Sequence, residues 1–587
     1  MVRKNKTPRL RSRIIGFSLF ALSTAMLSAC GGGSDSGGDP VQNNGTAPDG
    51  GNGGNTPSVA HADVSGKLTY DFVPTSTTEN DDGTVGAKLD YTKIEHKPVR
   101  HAFVEVLSED GTKVLGNTYS DDNGAYSISV PVATRVYVRV SATAAESPDN
   151  ASGYSLSIRD NSSMMYAIAP GLASIYSMRS SAFSNEGAGT KVDLNAASGW
   201  TGNGYGQTRA AAPFAILDEI VTAAQKMRAT ATDVPLPALN VFWSIDNRPT
   251  AGDQSKGFIN TSHYEGAGAG KGLYILGAEN VDTDEYDASV VVHEFGHYVE
   301  ANLSRSDNIG GPHGLGNALD MRVAFGEAWG NAFSSMMRGT PVYTDTVGSQ
   351  QSQTGVAMRL DQVSATDVKA WFNEAAVGNF LYSLNASPDI GFEPIYRAMR
   401  NGEKVTPALT SVFSFATALR PTLSDAGKTE LDAMLTQLGV PGGPQLDEWG
   451  TSMMPPQNSN PNIPAIYPIY VPLKPDTSAT SCTTTAFGAG NKLGNFGHAR
   501  LTVPAAGRYK LTLGALQDGV SPENYRVSVY LAGKEIAAAS ATDSEYTYRL
   551  DSAGDYSADI LPTANADEST AQSATPSCIS VSLQRVN

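Results

Sequence analysis

The spacing of apolar residues changes along the chain and marks three folded regions. Between residues 61 and 148, apolar and polar residues alternate, which predicts the strands of a β-sandwich. These runs are Val64–Phe72, His101–Leu107, Val114–Tyr119, Ala125–Val130 and Arg135–Ala142. From 478 to 587 the alternation returns and predicts a second β-sandwich or a jelly roll. The later runs are Ala499–Val503, Arg508–Leu513, Tyr525–Leu531, Glu545–Leu550 and Ile579–Gln584.

The middle region, residues 149–452, has the three-to-four-residue spacing of amphipathic helices. The helical segments are Ala212–Met227, Asp287–Leu303, Ala318–Arg338, Asp367–Leu384 and Leu423–Leu438. Strand-like runs, Leu239–Trp243 and Gly272–Ala278, lie between them. We therefore expect an α+β domain of two lobes here. Residues 453–477 contain seven prolines and predict an extended linker to the last region.

The first 60 residues show no pattern of a folded domain. Six Lys and Arg residues precede an apolar stretch from Ile14 to Ala29, the layout of a signal peptide over residues 1–29. Its end, Leu27-Ser28-Ala29-Cys30, resembles a bacterial lipoprotein signal, which implies cleavage before Cys30 and lipid attached to it. An ordinary signal peptide with an incidental cysteine is the alternative. Residues 30–60 are rich in Gly, Asn and Ser and predict a flexible tether.

Charge and cysteine content narrow the function classes. Removing the signal takes away six positive charges and moves the formal charge from −17 to −23. An acidic exported protein lacks the clustered Lys and Arg that nucleic-acid binding needs. We expect an outer-membrane or cell-surface lipoprotein, with release outside the cell as an alternative, and the sequence does not indicate its oligomeric state. Cys482 and Cys578 then remain as a pair and predict one disulfide in the C-terminal region.

One acidic segment is weighed as a calcium site against a simple turn. Asp121-Asp122-Asn123-Gly124 lies between two predicted strands and carries Asn-Gly, the chemistry of a hairpin turn. It lacks the ligand spacing of an EF-hand loop. A structural calcium ion is therefore considered but not predicted.

Two histidines four residues apart carry the main chemical signal. His293 and His297 fall on the helix predicted from Asp287, which places both imidazoles on one face, where both reach a single metal ion. Glu294 is rotated by one residue step and reaches a metal-bound water without binding the metal itself. The His-Glu-x-x-His pattern therefore predicts two zinc ligands and a catalytic base.

A third ligand is expected from the next predicted helix. Glu327 comes thirty residues after His297 and lies among small residues, which let its helix approach the metal helix closely. Two His and one Glu leave one position open for water, as in catalytic zinc sites. Asp320 and Glu300 are the alternative third ligands.

A substrate-binding strand is expected beside these helices. The run Gly272–Ala278 predicts an edge strand that binds the substrate backbone by β-addition. His263-Tyr264-Glu265 comes just before it and is interpreted as a surface loop, with lining of the cleft as the alternative.

These motifs together resemble a known family. Asp287 through His297, then Gly310-Gly311-Pro312, then Gly326-Glu327-Ala328-Trp329 resemble the fungalysin branch of the gluzincin metallopeptidases, which is distantly related to thermolysin. The resemblance implies a zincin domain in which His293, His297 and Glu327 bind one zinc ion and Glu294 activates water. By pattern, residues 61–148 resemble transthyretin-like or carboxypeptidase-regulatory β-sandwiches, and residues 478–587 resemble pre-peptidase C-terminal domains.

The chain departs from the family at two places. The family has Asp four residues after the glutamate ligand, holding the first histidine; here that residue is Asn331, whose amide oxygen can accept the same hydrogen bond. The family also supplies a later histidine that stabilises the transition state, and here Trp371 falls near its place. Candidates for that donor are Tyr382, Tyr396 and His313, with a plain loop role as the alternative for His313.

The sequence thus predicts a zinc metalloendopeptidase that hydrolyses extracellular proteins or peptides and is held to a membrane by its lipid. The rival is a surface-exposed binding lipoprotein with an inactive, zinc-binding peptidase-like domain, which the two departures favour. Hydrolysis of a non-peptide amide is a third alternative, because it uses the same metal chemistry.

Overall fold

The computed structural model describes residues 60–80, 84–146, 153–231, 236–362, 369–454 and 466–587. They belong to one compact unit, Val59–Asn587. The predicted signal peptide, Cys30 and the tether up to residue 59 lie outside the described residues, as do residues 455–465 of the predicted linker. The described chain mixes helices with many β-sheets in a multidomain α+β architecture.

The helices of the described residues are concentrated in the middle region. They are α1 Met164–Ile168, α2 Ala212–Arg228, α3 Ala288–Leu303, α4 Met321–Arg338, α5 Glu374–Ala386, α6 Phe392–Arg397, α7 Val412–Leu419 and α8 Asp425–Gln437.

The strands of the first and middle regions run from β1 to β20. They are β1 His61–Phe72, β2 Thr75–Glu79, β3 Val85–Leu89, β4 Glu95–Pro98, β5 Ala102–Ser108, β6 Val114–Tyr119, β7 Ala125–Pro131, β8 Arg135–Ala145, β9 Ser155–Asp160, β10 Ser177–Arg179, β11 Phe183–Ser184, β12 Thr190–Lys191, β13 Leu194–Ala196, β14 Leu239–Trp243, β15 His263–Glu265, β16 Gly272–Ile275, β17 Gly277–Ala278, β18 Asp282–Thr283, β19 Val342–Val347 and β20 Gln353–Arg359.

The strands of the C-terminal region run from β21 to β30. They are β21 Tyr470–Leu473, β22 Thr477–Thr483, β23 Gly497–Val503, β24 Gly507–Ala515, β25 Tyr525–Leu531, β26 Lys534–Ile536, β27 Ala538–Thr542, β28 Glu545–Leu550, β29 Gly554–Pro562 and β30 Ser577–Val586.

The main sheet crosses the predicted domain boundary at residue 148. Its strand order is β15-β16-β14-β9-β8-β5-β6, so β5, β6 and β8 of the first region share a sheet with β14 to β16 of the middle region. One hydrophobic core also spans both regions, from Val64 to Leu493. The first region is therefore built into the middle domain, because β8 and β9 pair directly through Ala144 and Leu156.

The C-terminal region forms two sheets around a core of its own. Their strand orders are β21-β23-β29-β25-β26 and β22-β30-β24-β28-β27. Burial alternates along β23, and its inward residues meet those of β24 and β30 in the second core. This is the predicted sandwich arrangement, and the predicted disulfide between Cys482 and Cys578 is present across β22 and β30. The sheet begins at β21, inside the segment predicted as linker.

Two predicted elements have different bounds in the structure. The helix predicted from residue 367 begins at Glu374, because the side chain of Asn373 caps it by accepting a hydrogen bond from the Ala376 amide. Trp371 therefore lies before α5, buried in the core. The run Gly272–Ala278 is divided into β16 and β17, which belong to different sheets.

Candidate metal centre

Three side chains from two packed helices converge on one point. His293 and His297 lie on α3, and Glu327 lies on α4. Glu327 Oε2 is 3.5 Å from His293 Nε2 and 3.4 Å from His297 Nε2. The two Nε2 atoms are 2.9 Å apart. The structure thus brings together the three residues that the sequence predicts as zinc ligands.

The three donors, two imidazoles and one carboxylate, are groups that could hold one metal ion. Nitrogens and oxygens bound tetrahedrally at about 2.0–2.1 Å lie about 3.3–3.4 Å from one another. The two distances to Glu327 are close to that spacing, whereas the 2.9 Å between the two Nε2 atoms is shorter. The Nδ1 atom of His293 is taken by Asn331 Oδ1 at 2.9 Å, which leaves its Nε2 free to bind a metal.

Two glycines allow the helices to approach this closely. A Cβ at Gly330 would lie 2.7 Å from the His293 ring, and a Cβ at Gly296 would lie 3.3 Å from the Gly330 Cα. Trp329 Nε1 also donates to the Gly296 carbonyl oxygen across the same contact, at 3.0 Å. The small residues predicted to permit close packing therefore lie at the contact between α3 and α4.

Asn331 belongs to a hydrogen-bonded chain that the sequence does not reveal. Its Oδ1 faces His293, and its Nδ2 donates to Glu374 Oε1 at 2.8 Å. Glu374 Oε2 lies 2.8 Å from Nδ1 of His313. An aspartate in place of Asn331 would bring its carboxylate against that of Glu374, and the two negative charges would repel each other. The presence of Glu374 on α5 therefore explains why an asparagine stands here.

His313 is the one transition-state candidate of the three that faces the predicted ligands. Its Nε2 is 3.4 Å from Glu327 Oε2, and its ring lines the same cleft. Tyr382 is half-buried against the core, and Tyr396, on α6, is buried in the core. Neither side chain lines this cleft. Sequence spacing alone does not single out His313, because its partner Glu374 is 61 residues away.

The loop that carries His313 is held by the C-terminal region. Asn491 Nδ2 donates to the Gly310 carbonyl oxygen at 2.8 Å, and Lys492 Nζ donates to the Pro312 carbonyl oxygen at 2.6 Å. Gly310 and Gly311 both have positive φ, at 63° and 95°, which explains the glycine pair at this bend.

The alternative third ligands serve other purposes. Asp320 caps α4 by accepting from the Arg322 amide, and it also pairs with the Arg322 guanidinium. Glu300 lies 3.9 Å from Nδ1 of His297, on the side of the ring away from Glu327. Asn308, which the sequence does not indicate, donates to Glu327 Oε1 at 2.9 Å and fixes the carboxylate.

A cleft of about 1450 Å³ opens onto these residues. Glu294, on α3 beside His293, lines it together with His293, His297 and Glu327. One wall is β15, which pairs antiparallel with β16 and ends the main sheet. The prediction that Gly272–Ala278 is the edge strand is therefore wrong. β16 lies inside the sheet, because β15 pairs with it on its outer side, and His263–Glu265 forms the edge strand.

Burial and mutual charge set the protonation of the site. Burial raises the pKa of Glu294, although His293 and His297 counteract the rise. Burial also acts to raise the pKa of Glu327, but the neighbouring histidines, His297 foremost, hold it well below its ordinary value. Burial acts to lower the pKa of His313, and the hydrogen bond to Glu374 and the charge of Glu327 outweigh it and raise that pKa to about 9.

Comparisons with known proteins identify no family. No family model and no curated protein matches the chain. Among solved structures, a periplasmic lysozyme inhibitor from Aeromonas hydrophila is 17% identical over 20% of this chain and 97% of its own, with a TM-score of 0.14. A 9R-lipoxygenase from Cyanothece is 11% identical over 30% of this chain and 25% of its own, with a TM-score of 0.12. Likenesses this weak carry no argument about fold or function, and neither indicates a zincin peptidase.

The acidic segment, the helix lengths and the predicted lipidation site bear on the other sequence predictions. Asp121 accepts hydrogen bonds from the Asn123 and Ala125 amides, and Gly124 has a φ of 74°, so the acidic segment forms a turn. Within the described ranges, every helix is too short or too polar to span a bilayer. The lipidation predicted at Cys30 lies outside the described residues.

Proposed function

We propose that the protein is an exported, lipid-anchored zinc endopeptidase that hydrolyses peptide bonds of extracellular proteins. The observation that carries this proposal is the convergence of His293, His297 and Glu327 within hydrogen-bonding range of one another at the floor of an open cleft. Two imidazoles and one carboxylate match catalytic zinc sites, which keep a position open for water.

When bound, zinc lowers the pKa of its water and polarises the scissile carbonyl. Glu294 adjoins the first ligand on α3 and faces the cleft, so it is placed to take a proton from that water and return it to the leaving amine. Asn331 fixes the orientation of the His293 ring, and Asn308 fixes that of the Glu327 carboxylate. These contacts hold the ligands before substrate binds.

We assign the missing transition-state donor to His313. Its Nδ1–H donates to Glu374, which fixes the ring and leaves Nε2 toward the cleft, 3.4 Å from the Glu327 carboxylate. A donor at that position faces the oxygen that gains charge as the carbonyl is attacked. In the fungalysin family a histidine on a later helix has this role. Here we assign the role to His313, a loop residue that is hydrogen-bonded to Glu374 on α5.

The cleft is suited to an extended chain. The outer edge of β15 has no strand partner among the described residues, and it lines the cleft through His263 and Tyr264. An edge strand binds a peptide backbone by adding it to the sheet. A cleft of about 1450 Å³ has room for several residues of an extended chain, which favours internal bonds of a protein as the substrate.

The proposal is tested by measuring zinc content and cleavage on the same preparation. The purified protein is expected to hold one zinc ion per chain and to produce new internal termini when incubated with a denatured proteome. Zinc removal by a chelator should abolish cleavage, and zinc addition should restore it. Full zinc occupancy without any cleavage would favour the rival, an inactive binding lipoprotein, and absence of zinc would reject both.

A further inference from the structure

A second group of acidic side chains lies in the wall of the same cleft. Asp282 begins β18, Asp284 follows that strand, and Asp345 lies in β19, which pairs with β18. Each offers one carboxylate oxygen, and these oxygens all lie within 4.8 Å of one another. The register of β19 with β20 shifts between Asp345 and Thr346.

The three carboxylates have no compensating charge in the described part of the chain, although Asp284 is buried and Asp282 and Asp345 are half-buried. Asp284 is 3% exposed, and among the described residues no Lys or Arg forms an ion pair with any of the three. One oxygen of each carboxylate is buried with no hydrogen-bond partner. Ser262 satisfies the other oxygen of Asp284. Buried, unpaired carboxylates are costly unless a proton or a cation neutralises them.

A neutral side chain adds an independent indication of a ligand. Gln351 is 1% exposed, and its Oε1 has no hydrogen-bond partner. Its Nε2 donates to the carbonyl oxygens of Thr283 and Thr346, so the amide lies between the two segments that carry the cluster. Amide oxygens and carboxylates are the protein ligands that calcium uses.

We propose that Asp282, Asp284 and Asp345 form a calcium site. Each carboxylate oxygen lies within 4.8 Å of the other two, which is close enough for all three to bind one calcium ion at about 2.4 Å. The described donors are oxygens, with no nitrogen or sulfur that would select zinc. The site is separate from the histidine centre and does not depend on the proposed peptidase activity.

The calcium ion would join two segments that shape the cleft. Asp284 is three residues before Asp287, which precedes the first turn of α3, and Asp287 accepts from the Thr346 amide next to Asp345. Binding at the cluster therefore fixes β19 against the start of the metal helix. Calcium is expected to stabilise this wall of the cleft in the folded state.

The test compares the full-length protein with Asp284→Asn and Asp345→Asn, and with Asp518→Asn as a control at an exposed carboxylate. Calcium is removed on a chelating resin, and calcium and zinc per chain are then measured at about 1 mM free Ca²⁺, the range of extracellular calcium modules. Melting temperatures are recorded with and without Ca²⁺, and with Mg²⁺ at the same concentration.

The wild-type protein and the control are expected to bind one calcium ion per chain and to gain several degrees in melting temperature. Both cluster variants should lose the ion and the gain, yet melt no lower than wild type in calcium-free buffer, because like charges have been removed. A cluster variant that binds calcium as wild type does, a wild-type protein without calcium, or an equal gain with Mg²⁺ would overturn the proposal. Zinc content in the same samples separates this outcome from failure of the histidine centre.

Discussion

Replacing Gly330 by alanine is expected to damage the metal centre through the His293 ring. The new Cβ would lie 2.7 Å from that ring, whereas ordinary contacts begin at 3.4 Å. The ring must therefore move by about 0.7 Å or the two helices must separate by a similar distance. Functional zinc sites keep their ligands within about 0.2 Å of the ideal distances, so the shift exceeds what the site tolerates.

The expected loss is about 10–100-fold in zinc affinity and about 100-fold in kcat/KM. Overpacking costs about 1–3 kcal/mol, partly offset by about 1 kcal/mol from the better helix propensity of alanine. Stability should therefore change little compared with activity. Gly378→Ala on α5 is the matched control, since its Cβ would meet the movable end of Leu360 at 3.0 Å.

Zinc affinity is measured by competition with a chromogenic chelator, activity with a quenched fluorescent peptide, and stability by thermal unfolding. Gly330→Ala should bind zinc weakly while Gly378→Ala behaves as wild type. Zinc affinity and kcat/KM within twofold of wild type for Gly330→Ala would refute the reasoning about the helix contact.

Three further predictions address the groups around the centre and the core. His313→Gln should lower kcat by about 100–1000-fold with zinc content unchanged, measured by steady-state kinetics, since it removes a transition-state donor; a loss confined to KM would contradict that role. Asn331→Asp should lower activity and melting temperature because it faces Glu374 at 2.8 Å, and adding Glu374→Gln should recover part of both; a gain from Asn331→Asp alone would contradict the account. Burial raises the pKa of Glu403 to about 8, so the folded state keeps a proton that the unfolded state loses. The free energy of unfolding should therefore fall by about 1.4 kcal/mol per pH unit between the unfolded pKa and 8, measured by denaturant unfolding at several pH values. Glu403→Gln should remove that slope, and an unchanged slope would contradict the assignment.

Local patterns in the sequence predict α3 and α4 well, since the spacing of His293 and His297 and the small residues around Glu327 are short-range signals. Strand alternation likewise predicts most strands of the C-terminal sandwich. The start of α5 is predicted too early, because the capping role of Asn373 competes with apolar periodicity before it.

Features that depend on distant partners are not predicted. The sheet shared across residue 148 depends on which strands pair, and alternation within a strand carries no information on its partner. The edge role of β15 has the same origin. Glu374 reaches His313 and Asn331 only through the packing of α5 on α4, and the cluster of Asp282 and Asp345 spans 63 residues of chain.

We propose that Glu294 acts as the base beside a zinc ion held by His293, His297 and Glu327. The most direct measurement is zinc content and peptide cleavage for wild type and Glu294→Gln, with Glu393→Gln, an exposed glutamate, as control. One zinc ion per chain is expected in all three proteins, with cleavage lost only in Glu294→Gln. Cleavage by Glu294→Gln at the wild-type rate, or a wild-type protein that holds no zinc, would contradict it.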